Sequence, residues 1–89
     1  MGADVFIAGV GMTTLGKRLN DSVKSLTAAA AREALADAAV EARAIEGAWF
    51  SNTRQPMLEG QNTVRGEIAL RDVGIAGPPI ANIENACAS

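Results

Sequence analysis

Histidine is absent from this 89-residue chain and cysteine occurs once. Without an imidazole, the chain lacks the side chain that most often serves as general base to a nucleophile. A lone cysteine excludes an internal disulfide, and this points to a reduced, cytoplasmic setting. No apolar run approaches the roughly 20 residues needed to cross a bilayer, so no membrane span is expected. The start "MGADVFIAGVGM" also lacks the basic stretch, long apolar run and cleavage site of a signal peptide. The eight Lys and Arg residues are scattered singly against ten acidic ones, giving a net charge of −2. That pattern carries no electrostatic footprint for nucleic acid. No metal site is expected, and no repeat is visible.

What is present describes a chain that buries surface. Hydrophobic residues make up 48% and charged residues 20%, a globular balance, although 89 residues form one small domain or part of a larger one. "DVFIAGVG", Asp4 to Gly11, is a short apolar run ending in glycines and predicts a strand buried on both faces of a parallel sheet. Asn20 to Arg43 holds neither Gly nor Pro, is rich in alanine and opens on capping residues, so it predicts a long helix. In it Leu26, Ala30, Ala34 and Ala38 form a small-residue stripe suited to close approach to a sheet, opposite Glu33, Asp37 and Glu41. "IEGAWFSN", Ile45 to Asn52, predicts a second strand with Trp49 and Phe50 in the core. Thr53 to Gly60 reads as a loop projecting from the sheet edge. Asn62 or Thr63 is placed to cap a second helix that ends at Gly74, with Gly66 as its weak point. Ile80 to Asn85 predicts a third strand. The expected class is α/β, with three strands and two helices in βαβαβ order and a right-handed crossover.

The chemistry concentrates at Cys87. Small residues around it suit a sharp strand-to-helix turn, the geometry of a nucleophile elbow. A thiol in the first turn of a following helix faces unpaired N–H groups that favour the thiolate and can also hold an oxyanion. The bland alternative is a buried small hydrophobe, the commoner fate of a lone cysteine. Glu84 is a poor activator, because a neighbouring carboxylate disfavours the thiolate. Gly9 to Gly11 lack the third glycine and the adjoining helix of a dinucleotide fingerprint. Lys17 and Arg18 suit either coenzyme A phosphates or plain solubility, and Arg65 suits an ion pair or an interface, with a structural role favoured.

Three segments in order resemble the N-terminal portion of the thiolase family. "VFIAGVGMTTLGK" is similar to its first strand and loop, "GQNTVRGEIALRDVGI" to its second helix, and "IENACAS" to the turn bearing its nucleophile. The "ENACAS" ending is closest to the lipid-transfer, sterol carrier protein type of thiolase. The resemblance implies that residues 1–89 are the N-terminal part of a thiolase-like domain, incomplete by themselves. It implies that Cys87 takes an acyl group from a coenzyme A thioester, in thiolysis or Claisen condensation of 3-oxoacyl-CoA, with its own N–H as an oxyanion donor. It also implies a homo-oligomer, a dimer with the "IANIE" strand along the two-fold, and an acyl-CoA substrate with no tightly bound cofactor. The family's histidine and second cysteine lie far downstream and have no counterpart here, so this chain alone is expected to be inactive. Two alternatives remain. One is a non-catalytic structural or interaction piece that completes a partner's sheet. The other is a β-ketoacyl synthase, which has Thr before Ala-Cys where this chain has Asn85.

Overall fold

A computed structural model of the chain describes residues 3–89. Helix α1, Val23–Ala38, is followed by a 3-10 turn over Ala42–Ala44; strand β1, Ala48–Ser51, comes next. Helix α2, Gln55–Glu59, helix α3, Arg65–Arg71, and strand β2, Ile80–Ile83, complete the order. The class is α/β, as expected, but the sheet has two strands and not three.

Helix α1 begins where its chemistry says it should. The Ser22 hydroxyl accepts from the Ser25 N–H (3.0 Å), and the Ser25 hydroxyl accepts from the Ser22 N–H (2.8 Å), a reciprocal capping box. The Glu59 carboxylate takes a further free donor, the Val23 N–H, at 2.9 Å. Helix α1 stops short of the expected Arg43. Ala39 adopts the left-handed region (φ 57°) and donates back to Leu35 and Ala36, which closes the last turn.

The two strands pair in parallel, with Ala48 opposite Ile80 and Ser51 opposite Ile83. Parallel pairing requires a crossover, and α3 provides it by packing on both strands and on α1. Contact with the sheet is close at Gly66. A Cβ there would lie 2.6 Å from the Phe50 Cβ and 2.9 Å from the Ile80 Cγ2. The residue expected to weaken this helix is therefore the one that lets it dock. Val64 precedes α3 in a left-handed conformation (φ 44°) with no side-chain cap. Neither Asn62 nor Thr63 caps the helix. Asn82, on β2, does so across space: its Oδ1 accepts from the Gly66 N–H at 2.6 Å, and its Nδ2 donates to Glu67 at 2.7 Å. Gly74 closes the far end at φ 87°, as expected.

Ala28, Ala69, Leu70 and Ile75 form a small core between α1 and α3. Arg32 donates to the Asp72 carbonyl at 3.2 Å, and Lys24 lies 3.5 Å from the Asp72 carboxylate, tying the two helices together at their rim. The stripe of Leu26, Ala30, Ala34 and Ala38 is half-buried, yet what approaches it is not a sheet. Gly9 and Gly11 press against it; added Cβ atoms would fall 2.5 Å from the Ala34 carbonyl oxygen and 2.1 Å from that of Ala30.

Residues 4–11 are thus an extended arm on α1 and not the expected first strand. Val5, Phe6 and Ile7 stand 82–89% exposed. A strand exists only by pairing, and no neighbour is supplied to this one among the described residues. Trp49 also departs from expectation: it is 76% exposed, while Phe50 faces α3. Strand alternation puts these neighbours on opposite faces, and only one face of the sheet is covered. The segment Thr53 to Gly60 is not wholly loop, because the Asn52 side chain accepts from the Gln55 N–H at 2.7 Å and starts the single turn of α2.

Candidate functional site

Because β1 and β2 run in parallel, their carboxyl ends lie at the same end of the sheet, where open α/β sheets commonly place ligands. The chain leaving β1 is held beside the chain leaving β2. The Asn52 N–H donates to the Ile83 carbonyl at 3.3 Å, and the Thr53 hydroxyl donates to the Ala86 carbonyl at 2.8 Å. Arg65, from α3, donates to the Asn52 carbonyl at 2.9 Å. The favoured structural role for Arg65 fits, with a carbonyl as the partner where an ion pair was considered.

Cys87 lies in the tight turn that follows. Ala88 N–H donates to the Asn85 carbonyl (2.9 Å) and Ser89 N–H to that of Ala86 (3.1 Å), so two successive turns enclose the cysteine. Ala86, immediately before it, has φ 46°, the left-handed region that costs a residue with a Cβ of order 1 kcal/mol. Three side chains hold that conformation. Glu84 accepts the Ala86 N–H at 2.7 Å, Ser89 accepts the Asn85 N–H, and Thr53 holds the Ala86 carbonyl. Cys87 itself is exposed. The structure places Cys87 in a sharp bend just beyond β2; the helix of the expected strand-to-helix turn does not occur among the described residues.

Several neighbouring expectations fall elsewhere. Glu84 is committed to a backbone donor in the turn. Arg18 pairs with Asp21 at 2.7 Å and donates to the Thr14 carbonyl at 3.2 Å. Open grooves of 360–440 Å³ lie around α3, around the 3-10 turn and beside Trp49; none of these is lined by Cys87. Among the described residues, no group of His, Cys, Asp and Glu side chains is arranged to hold a metal ion. No helix among them is long and apolar enough to cross a membrane. Thr53 and Ser89 are the site residues that sequence reading missed. Thr53 falls within the expected loop, and its position one residue beyond the predicted strand end, with a short polar side chain, is the available signal.

Fold and site together define a small α/β unit with a parallel strand pair and one solvent-facing thiol at its carboxyl end. No family model matches the chain. Over 87 residues it is 34% identical to sterol carrier protein 2 of Gallus gallus, an alignment that covers 96% of this chain and 15% of that protein. The chain therefore spans a minor part of the length of that relative.

Proposed function

We propose that this chain is the nucleophile-bearing part of a thiolase-like acyl-CoA acyltransferase. The observation that carries the reading is Cys87, exposed in a turn that three side chains brace immediately after a parallel strand. The similarity to sterol carrier protein 2 supports a lipid-related substrate. In the reaction, the Cys87 thiolate attacks the thioester carbonyl, the tetrahedral oxyanion collapses, and coenzyme A leaves as its thiol. That is the condensation direction, in which the acyl group then passes to a carbanion. In thiolysis the thiolate instead attacks the 3-oxo carbon of 3-oxoacyl-CoA, the C2–C3 bond breaks, the leaving carbanion is protonated to acetyl-CoA, and the acyl group passes from Cys87 to a coenzyme A thiol. The Cys87 N–H is the oxyanion donor from this chain. A base is needed from outside it, since the chain has no histidine. The reading carries with it a homo-oligomer and a cytoplasmic setting.

Alkylation tests it. In the protein purified from its own source, iodoacetamide should modify Cys87, and a saturating acyl-CoA should slow that modification at least tenfold. Equal rates with and without acyl-CoA would refute the assignment. A second reading, a non-catalytic piece that completes a partner's sheet, is favoured by the bare sheet face and the exposed arm. It gives equal rates in the same assay.

A further inference from the structure

The Cys87 N–H has no hydrogen-bond partner among the described residues, and its direction is set by the peptide group it belongs to. A trans peptide is planar, so its C=O and its N–H point to opposite sides. The C=O of this peptide is that of Ala86, which accepts from the Thr53 hydroxyl at 2.8 Å and from the Ser89 N–H at 3.1 Å. Holding that oxygen on the Thr53 side turns the Cys87 N–H to the other.

The bonds made by Glu84 and Ser89 lie within the turn and move with it. Thr53 stands outside the turn, two residues beyond the end of β1, on a backbone that is itself anchored. The Asn52 N–H donates to Ile83, the Asn52 carbonyl accepts from Arg65, and the Asn52 side chain accepts from the Gln55 N–H. Thr53 has one hydroxyl proton, and the Ala86 carbonyl takes it. The Ser89 hydroxyl, 3.2 Å from that of Thr53, has a proton of its own to give to it while accepting the Asn85 N–H. The bonds thus run from Asn85 through Ser89 and Thr53 to the peptide just before the cysteine. They act on a residue with a reason to move: Ala86 is left-handed (φ 46°), and a residue with a Cβ has cheaper conformations to enter once a hold is released.

On the acyltransferase reading above, we propose that Thr53 is a positioning residue for acyl transfer, its hydroxyl holding the Ala86 carbonyl so that the Cys87 N–H is aimed at the oxygen of the thioester under attack. As Cys87 Sγ bonds to the thioester carbon, the carbonyl electron pair moves onto oxygen, and an N–H already in place donates to it. Collapse expels coenzyme A thiolate, which takes up the proton that the outside base removed from Cys87. Iodoacetamide asks less of the site, because Sγ displaces iodide at a saturated carbon and no oxyanion forms. The two reagents separate the aim of the N–H from the exposure and reactivity of the sulfur.

In the intact protein, acylation of Cys87 by octanoyl-CoA is followed by mass, with alkylation by iodoacetamide measured in parallel. Thr53→Val keeps the branched shape and removes the donor. It should slow acylation at saturating octanoyl-CoA by about 10- to 100-fold, less than outright loss of an oxyanion donor, because the N–H is misdirected and not removed. The half-saturating concentration should hold, and alkylation should stay within about twofold of the parent rate, which also reports an intact turn. Thr53→Ser keeps the hydroxyl and should acylate within about threefold of the parent. Acylation of Thr53→Val at the parent rate overturns the role of Thr53 and leaves the acyltransferase reading standing. Equal slowing of both reactions overturns it too, since Thr53 would then govern the sulfur, and so does a Thr53→Ser protein as slow as Thr53→Val. A parent protein that takes up no acyl group removes the acyltransferase reading and the role of Thr53 with it.

Discussion

Replacing Gly66 by alanine sets two known effects against each other at one atom. In an exposed helix interior the change stabilises by about 1 kcal/mol, because glycine is the poorer helix former. At Gly66 the new methyl would lie 2.6 Å from the Phe50 Cβ, 2.9 Å from the Asn82 Oδ1 and 2.9 Å from the Ile80 Cγ2. Two of these belong to β-carbon or branched groups fixed by the strands, so they cannot swing away as the end of a long side chain would. Overpacking of this kind costs about 1–3 kcal/mol. The third contact is the oxygen that caps α3, and pushing it away forfeits about 1 kcal/mol more. The net expectation is a loss of roughly 1–3 kcal/mol, or a melting temperature lower by roughly 4–8 °C for each kcal/mol in a domain of this size. Urea unfolding followed by circular dichroism measures it. Gly77→Ala is the control, since nothing lies within 4 Å of its added carbon, and it should change stability by about 0.5 kcal/mol or less. A Gly66→Ala protein as stable as the parent would refute the close docking of α3 on the sheet.

Removing the distant cap by Asn82→Ala should cost about 1–2 kcal/mol, read from the same urea transition, and a cost near zero would mean that α3 is capped otherwise. The Asp21 carboxyl is held below its ordinary value of 3.8 by hydrogen bonds, first from the Arg18 side chain and then from the Ser25 hydroxyl. A carboxyl depressed in the folded state stabilises above its unfolded value, and that contribution is lost as pH falls through the folded value. Helix dichroism followed from pH 5 down to pH 2 should therefore fall less in Asp21→Asn than in the parent below about pH 4. Curves that fall equally would remove Asp21 from the account.

Helix α1 and the Cys87 turn were legible because local chemistry decides them. The alanine-rich segment and the serine pair that caps it lie within a few residues of one another, as do the small residues around the cysteine. What failed to show was decided at a distance. Residues 4–11 have the composition of a buried strand, but composition cannot provide the neighbour a strand needs. Their glycines, read as the end of a strand, are the points where an extended arm meets α1. Gly66 reads as a flaw in a helix until Phe50 and Ile80 are placed against it. Asn82 caps a helix that begins 17 residues earlier, a link that no local window spans. Trp49 looked like core because aromatic residues usually are, yet the two-stranded sheet offers cover on one side alone.

The remote cap also orders events during folding. As the polypeptide is made, the residues of α3 emerge before Asn82 and meet only a left-handed valine at their leading end, so an isolated helix of seven residues has little reason to persist. Once the asparagine arrives, the bond that finishes the helix also fixes β2 beside it. Helix and strand should then gain protection from hydrogen exchange together, as a single cooperative unit.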